Sequence, residues 1–565
     1  MTPMNKLLIV SMLSAFAQGQ LQNQASAGLD PVDVLNPLSD QWRTYSGDYS
    51  GRRYSALSLI NQTTVKNLGL AWVTRVTAGT GPTGVVPGAG GGFGGGRGGG
   101  APSAPTIVGG LGSGDLNTSG GRFSGSILQV NGILYASSPD NAWAVDARDG
   151  TILWHFYWKT RGGTHTGNRG LGMWHNYLYL ETHDDMLVCL DATTGREKWH
   201  KEIASFDQQY FSSMAPIVVG NHVLVGTGND LDAPGFLQSF DPETGDRQWI
   251  HYTVPMNAGD AGVETWASLD AARHGGAQVW IPGSYDPETH LYIFGTGNPT
   301  PAYTTGRGEG DNLYTCALVA VNVDTGKMAW YYQTSPHDTH DWDSTETPIL
   351  VDGPFNGVLR KLVLTATRNG YFFTLDRVTG EHLVTGKFGT VNNWASGLDA
   401  KGRPKRDPGK DATVPGSLVN GDVTNYWPPA YSPDTGLFYV PENNSLRITY
   451  LIDDDPRGSM GLGGTTGGGG LSFGSALIAL DYKTGKVAWR HMLPGGSSGL
   501  LTTAGKLLFG GDGAGNVVAY DPANGKPLWH SRIGSIGNAP ETYMLDGHQY
   551  LLAVGDDQLF SFVLH

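Results

Sequence analysis

Two histidines and three carboxylates crowd the seven positions from His337 to Asp343, in the segment Pro336-His337-Asp338-Thr339-His340-Asp341-Trp342-Asp343. Such a string is either a solvated loop or a working site. Its His-x-x-His-Asp order invites zinc, but neighbouring side chains of an extended chain point to opposite faces, which speaks against a shared tetrahedral centre. Three further polar segments stand out: Asn168-Arg169-Gly170, Thr365-Ala366-Thr367-Arg368-Asn369-Gly370 and Gly295-Thr296-Gly297-Asn298-Pro299. The first two each place one isolated arginine beside a strand, and the third ends a strand in a tight polar turn. Singly, each is an ordinary loop. Their chemistry depends on a fold that brings them together.

A repeat supplies that fold. Asp146, Asp191, Asp241, Asn322, Asp481 and Asp521 each have a glycine four residues on, at Gly150, Gly195, Gly245, Gly326, Gly485 and Gly525. Each also has a tryptophan eight residues on, at Trp154, Trp199, Trp249, Trp330, Trp489 and Trp529. Asp376 keeps its glycine, Gly380, but has Val384 in the tryptophan place, and Trp72 is an opening copy without a turn. In each unit an apolar strand runs into a turn whose Asp caps backbone N–H groups. The glycine takes a backbone angle other residues resist, and the following strand presents a flat aromatic to wedge between sheets. Seven turns plus Trp72 predict an all-β fold, an eight-bladed β-propeller whose loops meet at one end of a central channel.

The long steps from Trp249 to Trp330 and from Val384 to Trp489 predict loop insertions. Glycine-rich stretches at about 77–121 and at 458–470 read as insertions too. The first matches GxGxxG, but without the strand-then-helix context a dinucleotide site requires.

A net charge of −14 argues against a nucleic-acid partner. Lys6, the apolar run Leu7 to Phe16 and small residues up to Ala27 read as a signal peptide over 1–27, with the propeller domain over 28–565 and a periplasmic destination. No later run is long enough to span a bilayer. Cys189 and Cys316 sit in apolar runs and read as buried free thiols, and no Cys-x-x-Cys-His motif offers haem attachment.

The chain resembles the pyrroloquinoline quinone (PQQ)-dependent alcohol dehydrogenases, the quinoproteins that include methanol dehydrogenase. The likeness runs from Trp42-Arg43-Thr44-Tyr45-Ser46-Gly47-Asp48 to near the C-terminus. Its most specific pieces are Gly295 to Pro299, Gly310-Asp311-Asn312, Pro336-His337-Asp338 with Asp341, and Arg368-Asn369-Gly370 ahead of Leu375-Asp376-Arg377, in the family's order and spacing.

The resemblance implies an enzyme that oxidises alcohols to aldehydes or ketones. It makes Asp341 the base and Arg368 the basic group near the quinone oxygens. Trp280, eighteen residues before Asn298, matches the tryptophan that stacks on PQQ. Arg169 matches an arginine pairing with the cofactor's carboxylates, and Ser213 and Asn425 match smaller contacts. Metal ligands are implied at Asp230, Asn298 and Asp341, with Asp232 a lesser candidate for the first. An aspartate at Asp343 resembles the lanthanide-dependent branch, so the ion is a lanthanide(III) or Ca2+. Where the family often has adjacent cysteines this chain has Gly163-Thr164, which implies a roomier pocket, and Ser124 stands where a glutamate often contacts PQQ. A soluble cytochrome c is the implied electron acceptor, and a homodimer is one implied assembly. The competing reading is a non-catalytic envelope scaffold, which shares the repeat but has no use for the channel cluster.

Overall fold

The computed structural model describes residues 28–76, 123–163, 165, 167–229, 231–304, 306–451 and 466–565. The expected signal peptide over 1–27 and the insertion at 77–121 lie outside them.

Eight sheets of four or five strands follow one another along the chain, with one additional two-stranded ribbon. We number them as blades: 128–157, 172–202, 217–252, 284–333, 349–387, 418–493, 501–532, and 541–564 joined by 68–75. The eight-bladed propeller is as the repeat predicts. In blade 2 the second strand from the rim, Met186–Asp191, is buried at its four central positions, and the outermost, Glu197–Glu202, alternates exposed and half-buried. Radial packing demands this pattern, because inner strands are covered on both faces by neighbouring blades.

The repeat residues act between blades. Asp191 Oδ1 accepts from the N–H groups of Thr193 and Thr194, and Gly195 N–H donates to Asp191 O at 2.8 Å. Gly195 has φ +67°, and a Cβ there would lie 2.6 Å from the ring of Trp154, one blade back. Trp154 Nε1 donates to Ala192 O in the same turn at 3.0 Å. Gly150 meets Trp72, Gly245 meets Trp199, Gly326 meets Trp249, Gly380 meets Trp330 and Gly525 meets Trp489 in the same way. The glycine therefore serves twice, as a positive-φ turn residue and as the seat of the preceding blade's indole.

Two departures from the repeat have physical reasons. Trp72 has no turn because its strand, Leu68–Arg75, is the outer strand of the last blade and pairs with Gln558–Leu564 to close the ring. Val384 replaces tryptophan where two backbones nearly touch: a Cβ on Gly386 would lie 2.0 Å from Gly485 O. An indole has no room there.

The insertions fall where the long steps place them. Blade 4 is preceded by loops and a one-turn α-helix, Leu269–Arg273. Blade 6 carries the ribbon Ala395–Leu398 with Pro404–Arg406 ahead of it and two elongated strands, Leu437–Leu451 and Thr466–Asp481. The stretch 458–470 is thus corrected in part. Gly469 and Gly470 belong to a strand and pair with Ile448 and Arg447, because glycine backbone still satisfies a ladder when its partner strand is present. Cys189 and Cys316 are buried free thiols, as expected.

Candidate active site

Asp341 and Asp343 lie in the link from blade 4 to blade 5. A strand-like spacing would put both carboxylates on one side, but the backbone differs from that expectation. Asp341 has φ +65°, a left-handed angle uncommon outside glycine. The side chain of Asp338 holds this turn: its Oδ1 accepts from His340 N–H at 3.2 Å, and its Oδ2 from the N–H groups of Asp341 and Trp342 at 3.0 and 3.1 Å. Trp342 is fully buried between His340, stacked at 4.2 Å, and Trp394 at 4.3 Å. The indole anchors the segment inside while the flanking aspartates both turn to the guanidinium of Arg368.

Arg368 reaches them from blade 5, out of a tight hairpin closed by Gly370 at φ +81°. Its Nη1 donates to Asp343 Oδ2 at 2.8 Å, Asp341 Oδ1 at 3.3 Å and Asp341 O at 3.1 Å. Its Nη2 lies 3.2 Å from Asp422 Oδ2. Asp343 Oδ1 accepts the backbone N–H of Asn298 at 2.6 Å, an approach left open by Gly297. The side-chain nitrogen of Asn298 donates to Pro299 O at 2.8 Å, which leaves the side-chain oxygen as its other polar end.

Burial pushes the Asp341 carboxyl well above the ordinary carboxylate range against the pull of Arg368, and the neighbouring carboxylates of Asp343 and Asp422 add to the rise. Glu346, three residues past Asp343, is fully buried with no hydrogen bond to either carboxylate oxygen, and burial pushes it up as well.

The other predicted residues form a second group beside this one. The Arg169 guanidinium sits 5.3 Å from the Trp280 ring and 4.4 Å from the Tyr426 ring. Its Nε is buried without a hydrogen-bond partner. Ser213 Oγ donates to Trp280 O at 3.4 Å. Asn425 joins the two groups, with its Nδ2 on Asp422 Oδ2 at 3.1 Å and its own residue adjacent to Tyr426.

Among the described residues, then, Arg169, Ser213 and Trp280 form one contact group and Asn298, Asp341, Asp343 and Arg368 a second, and Asn425, next to Tyr426, links them through Asp422. Asp230 lies outside the described residues. Asp232, two residues further on, is half-buried. A Cβ at Gly163 would lie 2.7 Å from His183 Nε2, and Thr164 lies outside the described residues. Sequence reasoning missed Tyr303, Asp338 as a brace, Glu346, Asp422, Tyr426 and Arg447. Only Asp338 carried a signal, inside the quoted Pro-His-Asp string.

Residues 113–391 match the family described as glucose, ethanol and alcohol dehydrogenase β-propeller domains. Residues 474–562 match the family described as outer membrane protein assembly factor BamB, a stretch that holds none of the converging side chains. The chain is 32% identical to the quinohemoprotein alcohol dehydrogenase of Comamonas testosteroni over 96% of its own length and 77% of that protein's. It is 33% identical to the quinoprotein alcohol dehydrogenase PedH of Pseudomonas putida, over 76% of the chain and 78% of that protein. Its fold matches a europium-containing methanol dehydrogenase with a TM-score of 0.79 at 26% identity, over 94% and 99% of the two chains. The chain belongs to the PQQ-dependent quinoprotein alcohol dehydrogenase family. Among the described residues no helix is long and apolar enough to cross a membrane.

Proposed function

We propose that the protein oxidises alcohols to aldehydes or ketones, with Asp341 as the base that takes the hydroxyl proton. The observation that carries this reading is the meeting of Asp341 and Asp343 on one guanidinium, Arg368, beside Asn298. Bound PQQ supplies the two-electron acceptor for hydride from the alcohol carbon, and a bound metal ion supplies the Lewis acid.

The residues fit both groups. Arg169 has a buried Nε with nothing to donate to, which suits a cofactor carboxylate, and Trp280 offers a flat wall. Asp341, Asp343 and the Asn298 oxygen offer oxygen donors to a hard cation, and the resemblance adds Asp230, which lies outside the described residues. We assign a trivalent lanthanide ahead of Ca2+, because Asp343 adds a second carboxylate within reach of the same position.

The protein's own groups then divide the work. Asp341 accepts the proton from a hydroxyl placed against it. Burial alone would keep that carboxyl protonated, and Arg368 favours its ionised form. A bound cation acts in the same direction. Asp338 keeps Asp341 aimed through three backbone N–H groups. Electrons pass to a soluble cytochrome c, and the net charge of −14 suits a basic partner. The working compartment is the periplasm.

Asp341→Asn is the direct test. We expect turnover with a dye acceptor to fall roughly 10²–10⁴-fold, with PQQ retention, read by absorbance, unchanged. Turnover near the native rate would remove Asp341 from the role of base.

A further inference from the structure

The ribbon ahead of blade 6 adds no strand to the propeller. Its two strands, Ala395–Leu398 and Pro404–Arg406, pair only with each other. The residues flanking the ribbon are another matter. They are packed against the two segments that carry Asp341 and Arg368.

On the Arg368 side, Trp394 Nε1 donates to Asn369 O at 2.9 Å, and Asn392 Nδ2 donates to the same carbonyl at 3.0 Å and to Gly370 O at 3.1 Å. The Trp394 ring meets Trp342 at 4.3 Å, so one side chain touches both segments. Asp407 N–H donates to Trp394 O at 3.0 Å and closes the insertion on itself.

On the Asp341 side, the holds fall on Thr339 and His340, the two residues between Asp338 and Asp341. His340 Nε2 donates to Lys410 O at 3.0 Å, since a carbonyl only accepts. Arg447 Nη2 donates to His340 O at 2.8 Å. Thr339 Oγ1 lies 3.2 Å from His340 Nδ1 and gives its hydrogen to Asp411 Oδ1 at 2.7 Å, because an ionised carboxylate has none to give. Arg406 Nη1 donates to the other oxygen of Asp411. Thr339 is 0% and Asp411 4% exposed, so neither meets a substrate.

Asp341 sits at φ +65°, an angle that a residue other than glycine keeps only when its surroundings hold it. Asp338 holds this turn from within through three N–H groups. The insertion holds it from outside.

We propose that Thr339 and Asp411 are positioning residues for the base, their hydrogen bond fixing the aim of Asp341 from the insertion ahead of blade 6. This rests on the reading of Asp341 as base. Aim matters to rate, since a displacement of about 1 Å at a reacting group costs on the order of 10²-fold.

The test measures kcat, KM and PQQ absorbance in the PQQ- and metal-loaded enzyme and in Thr339→Val, Thr339→Ser, Asp411→Ala, Asp411→Asn and the double variant Thr339→Val with Asp411→Ala. Loss of one hold among several predicts that kcat falls about ten-fold in Thr339→Val while KM stays within about two-fold. PQQ absorbance should be unchanged, and the isotope effect with an alcohol deuterated at its hydroxyl-bearing carbon should rise as the chemical step slows. Thr339→Ser, which keeps the hydroxyl, should restore most of kcat, and so should Asp411→Asn, which keeps an acceptor oxygen. The double variant should be no slower than the slower single one, because both substitutions break the same bond.

A native kcat in Thr339→Val would overturn the proposal. So would a Thr339→Ser enzyme as slow as Thr339→Val, which would assign the effect to packing, or losses that multiply in the double variant. Loss of PQQ absorbance in step with turnover would overturn it too and make the insertion a device for holding cofactor. If Thr339→Val does not fold, the contrast between Asp411→Ala and Asp411→Asn decides: equal rates in the two would sink the proposal. Native turnover in Asp341→Asn would instead strike the reading beneath it, whereas an inactive Asp341→Asn beside a native Thr339→Val would strike this proposal alone.

Discussion

Asp343 is the residue on which the proposed choice of metal rests. It shares Arg368 with Asp341, and its other oxygen is tied to the backbone N–H of Asn298. A trivalent ion gains more from an added carboxylate than a divalent one does, by simple Coulomb counting. Asp343→Ala is therefore expected to lower lanthanide-supported turnover by about ten-fold or more, and Ca2+-supported turnover by less. Parallel titrations of the PQQ-loaded apoenzyme with La3+ and Ca2+ read this directly, and equal losses with both ions would contradict it. At this scale the sequence was partly legible. Asp341, Asp343 and Arg368 stand in motif strings, so type and spacing exposed them. Asp422 and Arg447 do not, since what brings them to the site is a backbone contact between Gly421 and Ser445, and no local pattern encodes it.

The element that sets the fold is the turn whose glycine carries the previous blade's tryptophan. Both functions of Gly195 fail when a methyl group is added, because the backbone sits at φ +67° and the ring of Trp154 lies 2.6 Å from the new carbon. Gly195→Ala is expected to destabilise the protein by roughly 1–3 kcal/mol, measured as a shift in the denaturant midpoint. An unchanged midpoint would mean that neither the backbone angle nor the indole seat matters. The spacing of Asp, Gly and Trp revealed this element. It did not reveal why one copy has valine, since the reason is the close approach of Gly386 to Gly485 on the next blade. Nor did it reveal the left-handed turn at Asp341, which depends on the Asp338 side chain.

At the scale of the whole molecule, burial of acids sets the response to pH. Asp140 and Asp185 are pushed up to about 7, and Glu541 to about 8, in each case chiefly by burial. Nearby donors pull the other way: the backbone N–H of His183 on Asp140, the Ser212 hydroxyl on Asp185 and the Arg53 guanidinium on Glu541. The folded protein holds protons on these groups that the unfolded chain releases above about pH 4. Their contribution is greatest at low pH and is lost as pH rises to 7–8. Buried histidines oppose this at acid pH: burial lowers His251 to about 4 and His340 to about 3, so stability is lost as pH falls below the ordinary histidine value of about 6.5. Above that value histidine is neutral in both states, and the acids act alone. The thermal midpoint should therefore fall between pH 6.5 and 8.5, with a shallower slope in Glu541→Gln. A midpoint that rises over this range would contradict the assignment.

The ring itself, eight blades closed by the strand that carries Trp72, was legible as a count of repeats. The way it closes was not, because Leu68–Arg75 finds its partner at the far end of the chain.

The central claim is that the channel mouth oxidises alcohols. It is tested by reconstituting the purified protein with PQQ and either La3+ or Ca2+, then following reduction of a dye acceptor as an alcohol is added. Alcohol-dependent dye reduction that requires both PQQ and metal is the predicted result. No reduction with either ion, across monohydric alcohols and diols alike, would contradict it.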